Sequence, residues 1–303
     1  MGSKYSKTFL AVILCFCMLL FPLSAGCSKS SNKNYYHQKK LTAKKRQIPR
    51  SLVLRSAAVL VEDQQTGECL VRKQAEAILP IASITKLMTA MVVLDADMDL
   101  EESLTIKNED VDTVLHSHSR LPIGIHLTRR EVLLLALMSS DNRAAYALGR
   151  TYPGGFGACV KAMNVKAGSL GLSETRFEDT AGLHSGNVSS ARDLARLVDN
   201  AYRYGLICEF TTCKRATVYS GRRAIEFHNT NRLVQNSGWE IGLSKTGFTD
   251  EAGRCLVMQA HVAQRPLLIV LLDSQGKMTR IGDANRIKHW LESRSSSQRL
   301  QEG

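Results

Sequence analysis

The sequence lacks the short motifs that commonly bind metal ions. It contains no Cys-x-x-Cys pair and no His-Glu-x-x-His segment, although it has eight cysteines and eight histidines. The ligand spacings typical of structural and catalytic zinc therefore find no match. We expect neither a metal site nor an organic cofactor.

The sequence also lacks an apolar run long enough to span a bilayer comfortably. The run Phe9–Phe21 has 13 residues, and Lys4 and Lys7 precede it. This length and charge pattern predict a signal peptide over residues 1–26 and a periplasmic location. Cleavage after Leu23-Ser24-Ala25 and lipidation of Cys27 both fit the sequence, so a lipid-anchored form stays open.

Acidic residues are absent from the segment that follows. Residues 28–55 contain nine lysines and arginines but no Asp or Glu, and the whole chain carries a formal net charge of +12. We interpret residues 27–54 as a basic flexible linker. A tether to anionic lipid or wall polymer is the alternative. A nucleic-acid partner is not expected, because the segment is exported and has no recognition-helix pattern.

Residues 55–293 show strand and helix patterns in a distinctive order. Strands are predicted near both ends of this region, at 57–61, 68–71, 239–244, 254–262 and 267–272. Helices are predicted at 83–94, 128–138, 142–151, 156–169, 190–202 and 279–292. This order predicts an α/β fold of the α+β type, with an antiparallel sheet built from both ends and an inserted helical lobe. Residues 294–303 are predicted to form a disordered tail.

Three short motifs carry the chemistry. They are Ser83-Ile84-Thr85-Lys86, Ser140-Asp141-Asn142 and Lys245-Thr246-Gly247. This trio is the signature of class A β-lactamases and penicillin-binding proteins. Ser-x-x-Lys alone arises often by chance, but all three motifs in this order are a specific signal.

The first motif predicts a nucleophile and its base. Ser83 falls at the start of an apolar helix, where unpaired backbone N–H groups favour developing negative charge. Lys86 follows three residues later on the same helical face and can reach the Ser83 hydroxyl. A serine needs such a base, and the lysine must be neutral to act as one. We expect burial and the nearby cation of Lys245 to lower the Lys86 pKa.

The second motif lies in a break between two helices. Ser140 is a candidate proton relay to the leaving amine, and Asn142 is a candidate to hold Lys86 and the substrate amide. A simple helix N-cap is the alternative interpretation of Ser-Asp-Asn.

The third motif closes a predicted strand and supplies substrate-binding groups. Lys245 provides positive potential, and Thr246 provides a hydroxyl for a substrate carboxylate. Gly247 leaves room for a peptide backbone to pair with the strand. The backbone N–H groups of Phe248 and Ser83 are the candidate oxyanion hole.

The region from Pro80 to Asp95 resembles the nucleophile region of D-alanyl-D-alanine endopeptidases, which are low-molecular-mass penicillin-binding proteins. Segments 133–145, 152–155, 187–194 and 245–249 also resemble that family, so the likeness covers roughly residues 55–292. The resemblance implies a β-lactamase/DD-peptidase-like fold with a five-stranded antiparallel sheet flanked by helices. It also implies an acyl-enzyme, peptidoglycan muropeptides as substrates, and β-lactam antibiotics as covalent inhibitors of Ser83.

One departure from related enzymes bears on specificity. Many related carboxypeptidases carry an Arg upstream of the Lys-Thr-Gly strand to hold the terminal carboxylate, and Thr230 stands there in this sequence. Arg232 is either a substitute or an ordinary surface arginine. This favours an endopeptidase over a carboxypeptidase that trims pentapeptides. A β-lactamase or a non-catalytic penicillin sensor is the remaining alternative, but no Glu-x-x-Leu-Asn string is present.

Overall fold

The computed structural model describes residues 48, 49 and 51–302, with side chains up to residue 295. The predicted signal peptide, residues 1–26, and most of the predicted linker lie outside the described residues. Within the described part of the chain, no helix is both long and apolar enough to cross a membrane.

Strands predominate at both ends of the described chain, and most of the helices lie between them. The strands are β1 (Ala58–Asp63), β2 (Cys69–Lys73), β3 (Leu79–Pro80), β4 (Ser103–Thr105), β5 (His126–Thr128), β6 (Val188–Ser189), β7 (Arg215–Ser220), β8 (Arg223–His228), β9 (Glu240–Thr249), β10 (Gly253–Val262) and β11 (Arg265–Ser274). The helices are α1 (Thr85–Asp95), α2 (Arg129–Met138), α3 (Asn142–Arg150), α4 (Gly155–Ser169), α5 (Ala191–Ala201), α6 (Gly205–Thr212) and α7 (Thr279–Glu302).

A five-stranded antiparallel sheet unites the two ends of the described chain. Its strand order is β2-β1-β11-β10-β9, so the first strands pair with the last ones. The register places Val59 opposite Leu271 and Val257 opposite Lys245. Strand β9, which carries Lys-Thr-Gly, lies at one edge of the sheet. The predicted sheet and its assembly from both ends are confirmed.

The sheet buries apolar side chains on both faces. Leu60, Val257 and Val270 belong to one cluster with helices of the inserted lobe, and α1 is buried along nearly its whole length. Alternate residues such as Leu256 and Ile269 belong to a second cluster with α7. This follows from the two-residue period of a strand, and it anchors α1 and β9 to the same rigid sheet.

The structure differs from the sequence prediction at both boundaries of the domain. Leu52 and Leu54 are 4% and 5% exposed and pack into the second cluster, so the packed region begins inside the predicted linker. Helix α7 continues through residues 294–302, where a disordered tail is predicted. Neither Pro nor Gly interrupts that stretch, so nothing in it stops a helix locally.

Sequence analysis missed α6 and the hairpin of β7 and β8. Helix α6 has only eight residues and starts at Gly205, which gives a weak helical pattern. In the hairpin, only Val218, Ile225 and Phe227 are buried, so the apolar alternation covers few residues. Both elements depend on tertiary packing more than on local sequence signals.

Candidate active site

Ser83 lies in a tight turn that leads into α1. Residues Ala82–Ile84 form a single 3-10 turn, and the α-helix itself begins at Thr85. The hydroxyl of Thr85 donates a hydrogen bond of 2.8 Å to the Ala82 carbonyl. Ala82 has a φ of +46°, a value that non-glycine residues rarely adopt. Such local strain is tolerated where the surrounding packing holds a side chain in a defined place.

The amine of Lys86 is buried and reaches three acceptors. Its Nζ donates to the Ser83 Oγ at 2.7 Å, to the Asn142 Oδ1 at 2.7 Å and to the Ala181 carbonyl at 2.8 Å. Lys86 is 1% exposed, so its hydrogen-bond partners are protein groups. The short distance to Ser83 allows direct proton transfer between the hydroxyl and the amine.

Burial lowers the pKa of Lys86 to about 7, although the carboxylates of Asp179, Asp141 and Asp112 act in the opposite direction. Burial is the expected cause, and the repulsion expected between the two amines lowers the pKa of Lys245. Burial also lowers the pKa of Lys245 well below its ordinary value, and repulsion from Lys86 adds to this effect. Near neutral pH a large share of Lys86 is therefore uncharged.

The Ser-Asp-Asn motif occupies the break between α2 and α3. Ser140 has a φ of +61°, and its Oγ accepts a hydrogen bond of 2.8 Å from the Lys245 Nζ. The Asn142 Nδ2 donates to the Ser117 Oγ at 2.6 Å. Asp141 caps α3 by accepting a backbone N–H bond of 3.0 Å. Asp141 is therefore the predicted helix cap, while Ser140 and Asn142 on either side of it contact the two lysines of the site.

Strand β9 approaches the Ser83 turn at Gly247. A Cβ atom built on Gly247 would lie 2.7 Å from the Ile81 carbonyl oxygen and 3.2 Å from the Ser83 nitrogen. Only glycine permits this approach, which brings the strand against the backbone N–H of Ser83. One residue earlier, the Thr246 Oγ1 donates to the Thr230 Oγ1 at 2.7 Å.

The next residue along β9, Phe248, forms an outer wall of the site. Its side chain is 50% exposed, and the Arg254 guanidinium lies 4.2 Å from the ring centroid. Arg280 donates from Nη1 to the carbonyls of Gly247 at 2.8 Å and Cys255 at 3.0 Å. A trans peptide holds its C=O and N–H in opposite directions, so the Phe248 N–H points away from Arg280.

The structure thus brings all the residues predicted from the three motifs to one place. One hydrogen-bonded set joins Ser83, Lys86 and Asn142, and a second joins Ser140 and Lys245. The arrangement provides a hydroxyl, an amine able to take its proton, and a second hydroxyl–amine pair. Among the described residues, no group of His, Cys, Asp or Glu is arranged to hold a metal ion.

A profile of the family described as D-alanyl-D-alanine carboxypeptidase matches residues 43–276, a range that includes all three motifs. The chain belongs to this family. The serine hydrolase class expected from the motifs is thereby confirmed, as is the resemblance to low-molecular-mass penicillin-binding proteins.

Two curated relatives align in sequence with most of this chain. A D-alanyl-D-alanine endopeptidase of Pseudomonas aeruginosa is 46% identical over 247 residues, which are 81% of this chain and 80% of the relative. A D-alanyl-D-alanine endopeptidase of Escherichia coli is 43% identical over 239 residues, 78% of this chain and 77% of the relative. Both bear the name of the subfamily that the sequence around Ser83 resembles.

The fold of the enzyme has a close counterpart among solved structures. The crystal structure of the Streptomyces K15 DD-transpeptidase superposes with a TM-score of 0.73 at 28% identity. The match covers 78% of this chain and 97% of that protein. The β-lactamase/DD-peptidase-like fold predicted from the resemblance is therefore confirmed.

Sequence analysis missed the loop of residues 179–184, which contacts the Lys86 amine. The buried Asp179 carboxylate accepts four backbone N–H groups, those of residues 181–184. These four hydrogen bonds hold the loop in a conformation in which the Ala181 carbonyl accepts a hydrogen bond from the Lys86 amine. The string Asp-Thr-Ala-Gly is a recognisable turn signal, but only the tertiary fold places it beside Ser83.

In the same loop, Gly182 lies directly against the turn that contains Ser83. Gly182 has a φ of +84°, and a Cβ atom built there would lie 1.9 Å from the Ala82 carbonyl oxygen. That atom belongs to the backbone and cannot move aside without displacing Ser83.

Gly182→Ala is expected to destabilise the enzyme and to slow acylation of Ser83. A left-handed conformation costs a non-glycine residue about 1–2 kcal/mol, and the clash with Ala82 adds to this cost. Gly124→Ala is the matched control, because Gly124 has a φ of +86° and no atom within 4 Å of its built Cβ. Free energies of unfolding and acylation rates of both variants test this. Equal effects in the two variants would show that the close approach has no importance.

Proposed function

We propose that the enzyme is a serine DD-endopeptidase that hydrolyses D-alanyl cross-links of peptidoglycan through an acyl-enzyme. The observation that carries this proposal is the 2.7 Å contact between the Ser83 hydroxyl and a buried Lys86 amine whose pKa is about 7. The two curated relatives, which are called endopeptidases, support the choice of bond. We assign catalysis to a domain of residues 55–293.

In acylation, the Ser83 Oγ attacks the carbonyl carbon of the D-alanyl residue while Lys86 accepts the hydroxyl proton. Negative charge develops on the carbonyl oxygen, and the backbone N–H groups of Ser83 and Phe248 stabilise it. Each such donor contributes about 3–4 kcal/mol to transition-state stabilisation. The C–N bond then breaks, and the D-alanyl group remains as an ester on Ser83.

Ser140 and Lys245 handle the proton of the leaving amine. Ser140 donates its proton to the departing nitrogen and takes one from the Lys245 ammonium, with which it is in contact. In deacylation, water occupies the place of the amine and gives its proton back through Ser140 to Lys245. Lys86 then returns its proton to the Ser83 oxygen, so the acid and the free enzyme are regenerated with all protons accounted for.

The edge position of β9 suits an extended peptide substrate. A substrate strand can pair with the outer edge of β9, since no other strand pairs with that edge among the described residues. Thr246 provides a hydroxyl for the carboxylate next to the scissile bond, and Lys245 in its protonated form provides a positive charge. Asn142 accepts from Lys86 and donates to Ser117, and we assign its second amide hydrogen to the substrate amide.

The hydrogen bond between Thr246 and Thr230 supports an endopeptidase over a carboxypeptidase. A small neutral residue stands where many related carboxypeptidases use an Arg to hold a chain end. Arg232, the candidate substitute, is exposed in the 3-10 turn Arg232–Gln235. We infer that Thr230, in place of a long cation, leaves room for a leaving group larger than one amino acid.

Digestion of purified muropeptides tests the proposed bond specificity. The enzyme is expected to convert cross-linked dimers to monomers. Release of free D-alanine from monomeric pentapeptides alone would establish a carboxypeptidase instead. Steady hydrolysis of a β-lactam, in place of a stable covalent label, would point to a β-lactamase.

We also propose that the enzyme acts in the periplasm after export by residues 1–26. The predicted linker would keep it near anionic lipid or wall polymer, and Cys27 is the candidate lipidation site. Mass spectrometry of the mature N-terminus from cells expressing the full chain tests both points. A free N-terminus at Gly26 would exclude the lipid anchor, and a retained Met1 would exclude cleavage of this segment.

A further inference from the structure

A basic hairpin lies next to the active-site groove, by which we mean the space between Ser83, Ser140 and strand β9. The hairpin has no part in the reaction described above. It comprises β7 and β8, joined at Gly221. Val218, Ile225 and Phe227 on one face pack into the core, whereas the opposite face is open to solvent. The exposed cations of this hairpin stand at its base and at its tip, and their charge requires an explanation.

Four exposed cations are distributed over this hairpin. Lys214 and Arg215 stand at its base, and Arg222 and Arg223 stand at its tip. Glu226 is the single acidic residue between positions 214 and 228. None of the four cations has an ion pair or a side-chain hydrogen bond in the described part of the chain, and we call these four residues the basic hairpin surface.

The base of the hairpin is tied to the catalytic strand. The residue after β8 is Asn229. Its Nδ2 donates to the carbonyls of Thr211 and Cys213, and these hydrogen bonds fix the base of the hairpin. The following residue, Thr230, accepts from the Thr246 hydroxyl. Because a six-residue strand is about 20 Å long, the basic hairpin surface extends outward from the position next to Thr246.

A second segment connects the hairpin to the same groove. Arg120 places its guanidinium 5.6 Å from the ring centroid of Phe227 in β8. Ser117, three residues earlier, contacts Asn142, and Ser119 donates to the Asp141 carboxylate at 2.7 Å. Arg120 is exposed and adds another positive charge at the side of the groove that meets the hairpin.

We propose that the basic hairpin surface, together with Arg120, binds the leaving branch of a cross-linked substrate, a peptide stem bearing several carboxylates. This inference rests on the proposed endopeptidase function and names a subsite for it. The residue that leaves is held at Lys245 and Thr246, so the rest of its stem departs past Thr230 towards the hairpin. A carboxypeptidase releases one amino acid, which is too short to use this surface.

The charges match such a partner. Arginine guanidinium groups bind carboxylates through paired hydrogen bonds, and exposed cations attract an anionic peptide before it binds. Because the four cations are solvent-exposed, their contribution is expected to fall as salt concentration rises. Binding energy from this remote branch then favours cleavage of cross-links over smaller substrates.

The test compares two full-length variants with wild type. In the first, Lys214, Arg215, Arg222 and Arg223 are all replaced by Gln. In the matched control, four other exposed cations on or near α4 and α5 are replaced by Gln, namely Lys161, Arg176, Arg196 and Arg203. Both variants lose the same net charge, and both sets of side chains are exposed. The control also loses surface ion pairs to Glu178 and Asp199 and a hydrogen bond to the Gly171 carbonyl, and such exposed contacts contribute little to stability, so folding should be preserved in both.

Two activities are measured for each protein. The hairpin variant is expected to lose about tenfold in kcat/KM for a cross-linked muropeptide dimer at low salt, with a smaller loss at high salt. Its acylation by a fluorescent penicillin is expected to stay at the wild-type rate, because the small β-lactam does not reach the hairpin. The control variant is expected to match wild type in both measurements.

Other outcomes separate the two proposals. If wild type cleaves dimers and the hairpin variant cleaves them equally well, the subsite is wrong and the endopeptidase assignment stands. If wild type is acylated but leaves dimers intact, the endopeptidase assignment itself fails. An equal loss in the control variant, or loss only of binding to vesicles of anionic lipid, would also overturn the subsite.

Discussion

Ser83→Ala is expected to abolish covalent capture of a fluorescent penicillin and cleavage of muropeptide dimers. Alanine has no oxygen to form the ester, so the rate should fall by about 10⁴-fold or more. The fold should remain, because the change removes one hydrogen bond, that from Lys86, worth about 1 kcal/mol. Gel labelling and a thermal unfolding curve measure both expectations.

Ser139→Ala is the matched control for this experiment. Ser139 also lies beside the groove-forming motif, but its hydroxyl donates to the Leu135 carbonyl within α2. This variant should label normally. Persistent labelling of Ser83→Ala, in a protein that unfolds like wild type, would contradict the assignment of the nucleophile.

Lys86→Arg is expected to slow acylation by about 10³-fold while keeping a positive charge in the site. The guanidinium stays protonated at all accessible pH values, so it cannot accept the Ser83 proton. Lys166→Arg is a suitable control, since Lys166 forms a surface ion pair with Asp95 outside the groove. Wild-type acylation rates in the control confirm that the change of side chain alone is harmless.

The pH dependence of the wild-type enzyme provides an independent check on Lys86. The base acts in its neutral form, and burial lowers the Lys86 pKa from 10.5 to about 7. The acylation rate should therefore rise with pH and reach half of its maximum near pH 7. At its ordinary pKa, only about one lysine in 3,000 would be neutral at pH 7. A flat profile between pH 6 and 8 would contradict this role.

The balance of charges around Lys86 explains why its pKa stays near neutrality. Burial alone favours the uncharged amine, whereas Asp179, Asp141 and Asp112 favour the ammonium form. Without these carboxylates the pKa of Lys86 would be lower, and the amine would hold the Ser83 proton less readily. The carboxylates therefore suit a group that must both accept and donate a proton in one catalytic cycle.

The main elements and the three motifs were predictable from local patterns. Apolar residues at helical spacing marked α1 to α5, and alternating patterns marked the strands of the main sheet. The spacing of Ser83 and Lys86 predicted their contact, because residues three apart share a helical face. Each of these features depends on residues that are close together in the sequence, so it can be recognised without a structure.

The hairpin, α6 and the loop of Asp179 were not predictable in the same way. Each has a short or weakly apolar pattern, and each acquires its importance from a partner far away in the sequence. Asp179 lies about 90 positions after Lys86 yet reaches it through the Ala181 carbonyl, and the hairpin meets the groove through Thr230.

The sequence by itself determined the order of the main elements, the family and the candidate nucleophile with its base. Only the tertiary structure decided the pKa of Lys86, the need for glycine at positions 182 and 247, and the place of the basic hairpin surface. The reason is physical: burial, close backbone approach and the direction of an exposed face arise when distant segments pack together. No local pattern of residues encodes those quantities.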